Sequence, residues 1–266
     1  MSDRIVDAHV HVWDLDRFAL SWFREDLALP RAATTAGLAD AAAAACRHLD
    51  AAVAVQAADT LAEMAWLRDL AHRDPVIRAA VLQFAPATGW AGLADAVLDA
   101  GIAGVRVATP AGAADLSDVS GLDALCEGAA DTGRVVEFLV RPAQLDAVAR
   151  VAERHPRTSV VVCHLGLGAS VPGAAWEESL RLVARRPNTA AKFSGVAIRS
   201  GDHERLAALA ATAVGAFGVS RLMFGSDWPM SARHISYAHL VDDVERAWGS
   251  RSDAFWGATA RGLYGV

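Results

Sequence analysis

Residues 135–164 contain Val135-Val136-Glu137-Phe138-Leu139-Val140, then Arg141-Pro142, then the run Ala143–Arg154, then Ser159-Val160-Val161-Val162-Cys163-His164. Two short β-branched runs flank a segment whose apolar residues recur at helical spacing, so the stretch predicts a strand, a helix and a second strand. The same unit repeats in both directions. Further strands are expected at Ile5–Val12, Ala52–Gln56, Ile77–Phe84, Gly104–Val107, Thr189–Val196 and Arg221–Phe224. Helical periodicity marks Ala36–His48, Leu61–Ala71, Gly92–Ala100, Leu122–Asp131, Trp176–Arg185, Arg205–Phe217 and Tyr237–Trp248. Eight strands alternating with eight helices in 266 residues predict an α/β fold of the (β/α)8 barrel type, as one domain over residues 1–266. A doubly wound open sheet is disfavoured because Gly166 and Gly168 are only a fragment of the phosphate-binding glycine pattern.

Composition narrows the function. The chain is 53% hydrophobic and 21% charged, with a mean hydropathy of +0.24, which excludes a disordered or fibrous protein. A net charge of −6 and a pI near 5.8 speak against a nucleic-acid partner. The longest alanine run, Ala41–Ala45, is too short to cross a membrane, and the N-terminus lacks the pattern of a signal peptide, so a cytoplasmic protein is expected. Cys46, Cys126 and Cys163 are odd in number and widely spaced, which predicts neither disulfides nor a thiolate metal site. The apolar fraction permits a homodimer without requiring one.

In a barrel, residues that follow strands at the C-terminal mouth carry the chemistry. Asp7-Ala8-His9-Val10-His11 places two imidazoles two residues apart, so both are expected to project inward while Val10 and Val12 face the helices. His164 ends an apolar strand; alternation then puts Cys163 against the helices as a small hydrophobe. Asp227, within Gly225-Ser226-Asp227-Trp228-Pro229, follows the last strand, and a buried carboxylate there needs partners such as His9 and His11. Lys192, the chain's single lysine, lies within an apolar strand and is expected to point into a polar cavity. Arg106 and Arg141 end strands four and five, where each can bind a substrate carboxylate or form a rim salt bridge. The aromatic-rich stretch Trp13–Thr35 reads either as a lid over the mouth or as a loop packed outside the barrel. Asp14, Asp16 and Asp26 read as loop caps. His48, His72, His155, His203 and His239 read as surface, and His234 lies in a mouth loop.

Taken together and in order, these residues resemble the amidohydrolase superfamily, specifically the amidohydrolase-2 group and its sugar-lactonase branch. The resemblance rests on Asp7-Ala8-His9-Val10-His11-Val12-Trp13-Asp14, Val140-Arg141-Pro142, His164-Leu165-Gly166, Lys192-Phe193-Ser194-Gly195 and Leu222–Pro229, and so spans the chain. It implies a hydrolase that opens a small sugar-acid or carboxylated lactone. Asp227 would activate water and then protonate the leaving alkoxide, with His9, His11 and His164 around the carbonyl. Lys192 and Arg106, with Arg141, would orient the substrate, and Trp13 and Trp228 would wall a sugar face. The resemblance also implies either no cofactor or one divalent ion, zinc or manganese, on His9, His11 and Asp227, with His164 as a further candidate. A binuclear centre is not expected, because strand five reads Phe138-Leu139-Val140 and strand four offers Arg106. Cys163 departs from the family, many of whose members carry aspartate there. The alternative function is a mononuclear metal-dependent amidohydrolase or decarboxylase acting on a small carboxylated substrate. A barrel that only binds a ligand is disfavoured by retention of all four polar groups.

Overall fold

The computed structural model of the chain describes residues 4–58, 60–84, 102–168, 170–196, 203–248 and 252–266. Eight strands form one parallel sheet in chain order: β1 Arg4–Val10, β2 His48–Val55, β3 Ile77–Phe84, β4 Gly104–Ala108, β5 Val135–Leu139, β6 Ser159–Val162, β7 Thr189–Phe193 and β8 Leu222–Phe224. The sheet closes where Val10 bridges Trp228 in parallel, with Asp227 N donating to His9 O at 2.8 Å and His11 N to Trp228 O at 2.7 Å. The expected (β/α)8 barrel is therefore present. The residues that join its first and last strands are themselves the candidate site.

Helices α1 Thr35–Ala43, α2 Leu61–Arg73, α3 Leu122–Thr132, α4 Leu145–Arg154, α5 Ala174–Ala184 and α6 His203–Phe217 lie between strands, and α7 Tyr237–Trp248 follows the last strand. The expected helix Gly92–Ala100 lies outside the described residues. Thr34 and Thr60 cap α1 and α2, their side chains accepting from Gly37 N and Glu63 N. The first helix stops at Ala43 rather than His48, because His48 opens β2. A C-terminal piece was not expected: a π-turn at Ala254–Ala258 leads into α8, Thr259–Tyr264. Its Ala260 and Tyr264 close the interior of the barrel, joining Val6, Val53, Val81, Val161 and Met223 in one apolar cluster. A separate, larger cluster packs the outer faces of the strands against the helices. No helix among the described residues is long and apolar enough to cross a membrane.

Two departures from simple alternation decide what faces inward. Lateral pairing aligns Arg106, Glu137 and Val161, and Val161 belongs to the interior cluster, so Arg106 and Glu137 also point inward. Cys163 has the parity of Val161 and points inward too, contrary to the expectation that it faces the helices. The parity count failed because β6 ends at Val162 and His164 takes a left-handed φ of +52°, which re-aims its side chain. In β1, a register shift between Asp7 and Val10 puts Ala8 in the interior cluster while Val10 and Val12 stay outside.

The Trp13–Thr35 stretch is pinned by a two-residue antiparallel ribbon of Trp13–Asp14 with Ala32–Ala33. Trp13 is 1% exposed, and its indole N–H donates to Pro30 O at 3.0 Å. The loop is thus anchored by Trp13 within the outer core.

Candidate active site

Asp227 holds the centre of the mouth. Its Oδ1 lies 3.5 Å from His11 Nε2, 3.7 Å from His9 Nε2 and 3.9 Å from His164 Nε2. The His9 ring centroid is 4.6 Å from that of His164 and 5.1 Å from that of His11, so the three imidazoles surround one carboxylate. All three histidines are buried, whereas the Asp227 side chain is 14% exposed toward the mouth. Asp227 and His164 both have left-handed backbone, at φ +59° and +52°. Each such residue carries strain of order 1–3 kcal/mol, which the surrounding structure holds in place.

Each imidazole has an identifiable support. His11 Nδ1 is 2.8 Å from Val55 O; a carbonyl only accepts, so Nδ1 carries the hydrogen and Nε2 presents its lone pair to the mouth. Val55 is steadied by the loop that follows it, where buried Glu63 accepts from Ala57 N and Ala58 N at 3.2 and 2.7 Å. His164 Nδ1 is 2.7 Å from Ser194 Oγ. His9 Nδ1 lies 3.5 Å from Lys192 Nζ, while its buried Nε2 has no hydrogen-bond partner among the described residues. Burial, with Lys192 nearby, holds the His9 imidazolium pKa well below its ordinary value, so the ring is neutral.

The backbone around Asp227 is stapled from β1. Asp7 Oδ1 accepts from Ser226 N at 2.9 Å and from His9 N at 3.1 Å, and burial pushes its carboxyl up to about 6. Ser226 Oγ accepts from Trp228 N at 3.0 Å. Gly225 has no room for a side chain, because a Cβ there would lie 2.8 Å from His9 Cβ and 2.9 Å from Ser194 Cβ. The close approach of β8 to β1 and β7 therefore requires glycine.

The other expected residues are distributed differently. Arg106 is 6% exposed and donates to Gln56 O at 2.8 Å and Gln83 Oε1 at 3.2 Å. Arg141 donates to Gly112 O at 2.8 Å and so anchors the loop after β4. Lys192 is fully enclosed beneath the histidines, with Nζ 2.6 Å from Glu137 Oε1; an expected substrate contact is instead a buried ion pair. Trp13 packs in the outer core, and the Trp228 indole, also buried, lies beside Gly37 at the start of α1. The aromatic on this loop with substantial exposure is Trp22, whose indole N–H donates to Ala57 O at 2.8 Å. His234 is exposed beside Arg233.

Sequence reading missed Glu137, Tyr264, Ser194 and the role of Asp7. Glu137 is fully buried and accepts from the Tyr264 hydroxyl at 2.6 Å and from Cys163 Sγ at 3.2 Å. Burial, and then Glu137, push the Cys163 thiol well above its ordinary pKa, so it is a protonated donor and not a nucleophile. Its available signal was one acid within the apolar run Val135–Val140. Strand five thus does carry an inward acid, but a lysine holds it.

His9, His164 and Asp227 offer ligand atoms within 4.8 Å of one another, and His11 adjoins the same carboxylate oxygen. Imidazole and carboxylate donors converging on the orphaned His9 Nε2 fit one divalent ion by donor type.

Comparisons with known proteins agree with this architecture. An L-fucono-1,5-lactonase from Burkholderia multivorans is 32% identical over 152 residues, covering 50% of this chain and 51% of that protein. An L-fucono-1,5-lactonase from Burkholderia ambifaria is 30% identical over 198 residues, covering 67% of this chain and 64% of that protein. These alignments therefore span about half of the first relative and under two thirds of the second. A crystal structure of an amidohydrolase from Burkholderia multivorans with bound zinc superposes with a TM-score of 0.82 at 28% identity, covering 98% of this chain and 99% of that one. Residues 6–261, from the first strand to the helix that closes the barrel, match the amidohydrolase family model, and the chain belongs to that family.

Proposed function

We propose that the chain hydrolyses a small lactone, of the sugar-acid or carboxylated type, with Asp227 as the base that activates water. The observation that carries this reading is the single carboxylate oxygen ringed by three imidazole Nε2 atoms at 3.5–3.9 Å, in a mouth that admits solvent to Asp227. The names of the two curated relatives support the same substrate class.

Asp227 takes a proton from water as the oxygen attacks the lactone carbonyl. Imidazole N–H groups among those around Asp227 donate to the carbonyl oxygen as negative charge develops on it; His11, whose Nε2 presents a lone pair, is not one of them. The ring C–O bond then breaks, and the leaving alkoxide takes the proton from Asp227, which returns to carboxylate. Water and cyclic ester become a hydroxy acid with no other reactant. Arg106, whose Nε has no hydrogen-bond partner among the described residues, would supply a donor for a substrate hydroxyl or carboxylate. A divalent ion would be held by His9, His164 and Asp227, with His11 beside the same carboxylate oxygen, and would supply carbonyl polarisation and a more acidic water.

The test is a panel of five- and six-membered aldonolactones and carboxylated lactones, followed by acid release with and without chelator. Turnover of at least one aldonolactone is expected. If no lactone is opened by either the chelated or the zinc-loaded protein, the reading fails. Turnover of an amide or loss of carbon dioxide from an aromatic acid would transfer it to the metal-dependent alternative.

A further inference from the structure

We propose that Lys192, held by Glu137 and Tyr264, sets the tautomer of His9, so that in the metal-free protein His9 presents an Nε2–H donor to the mouth, a hydrogen that an ion taken up on Nε2 must displace. The contrast with His11 supplies the logic. A carbonyl, which can only accept, faces His11 Nδ1, whereas an ammonium, which can only donate, faces His9 Nδ1 at 3.5 Å. A hydrogen on His9 Nδ1 would point at the three ammonium hydrogens, so the ring's one hydrogen belongs on Nε2. Both side chains are fully buried.

The ammonium cannot readily turn away. Glu137 Oε1 binds Lys192 Nζ at 2.6 Å, and the same oxygen accepts from the Tyr264 hydroxyl at 2.6 Å. Glu137 Oε2 is taken by Cys163 Sγ at 3.2 Å. Nζ also lies 5.2 Å above the Tyr264 ring. The C-terminal helix thereby reaches through the barrel interior and fixes, through two side chains, the chemistry of a histidine at the opposite end. Lys192 is a positioning residue in this scheme. His9 and His11 then have different tasks: His11 presents a lone pair, and His9 donates to the oxygen that becomes negative. Only the identity of that oxygen rests on the lactonase reading; the tautomer does not.

The experiment uses chelator-treated full-length protein labelled with 15N-histidine, with the His9 ring signals assigned by their loss in His9→Gln. In the wild type, His9 is expected to carry hydrogen on Nε2 and none on Nδ1. In Lys192→Met the Nδ1–H form should gain population, and zinc affinity should rise about tenfold or more as the Nε2 lone pair becomes available. A conservative Lys192→Arg variant, which still offers only donors, should keep the wild-type tautomer. Hydrogen on His9 Nδ1 in the wild type overturns the proposal, as does unchanged or weaker zinc binding in a folded Lys192→Met. The wild-type spectrum decides the matter even if Lys192→Met fails to fold. Because no reading involves lactone turnover, failure here and failure of the proposed activity are distinguishable.

Discussion

Two polar layers lie inside this barrel, and they are built on opposite principles. The upper one, Asp227 with His9, His11 and His164, is open to the mouth, includes two left-handed backbone positions and leaves a buried imidazole nitrogen without a hydrogen-bond partner among the described residues. The lower one, Glu137 with Lys192, Cys163 and Tyr264, is buried, and its carboxylate is bonded on both oxygens. Strain and an unmet hydrogen bond are retained at the mouth; paired carboxylate oxygens are retained beneath it. On the proposed function, the difference separates the polar groups that would react from those that hold the reacting groups still.

Substitutions in each layer should therefore have different signatures. Asp227→Asn should lower lactone turnover by about 10²–10⁴-fold while circular dichroism and the unfolding midpoint stay near wild type. Near wild-type turnover in that variant would make the two layers equivalent and break the contrast. Glu137→Gln should do the reverse and cost about 3–5 kcal/mol in denaturant unfolding, because it strands the Lys192 charge in the interior. Combining it with Lys192→Met should cost less than the sum of the single changes, which a double-mutant cycle measures.

Ser194→Ala releases the His164 ring and should reduce kcat or zinc affinity by about 10–100-fold with little loss of stability. The smallest effect is expected at Trp13→Phe, which loses the hydrogen bond to Pro30. About 1 kcal/mol of stability should go with KM unchanged, since the indole packs in the outer core. A several-fold rise in KM would make Trp13 a wall of the site.

Much of this was legible in the sequence, because it depended on local pattern. Alternating β-branched and helical runs gave every described barrel strand to within a few residues, and His9, His11, His164 and Asp227 stand out as polar residues at the ends of apolar strands. Errors arose where local geometry departs from the ideal. Alternation predicted the wrong face for Cys163 because His164 is left-handed. The helix Thr259–Tyr264 went unseen because so short a segment carries little periodic signal. Aromatic residues near a mouth, such as Trp13 and Trp228, can serve either a core or a ligand, and spacing along the chain does not distinguish the two.

The sequence by itself determined the barrel, its mouth and the four groups gathered there, since strand order and strand ends fix those positions. Only the tertiary structure decided what stands behind each imidazole. Val55 and His11 are 44 residues apart, Lys192 and His9 are 183, and Tyr264 and Glu137 are 127. A hydrogen-bond partner determines which ring nitrogen keeps its hydrogen, and barrel closure brings those partners together across distances that no local pattern encodes.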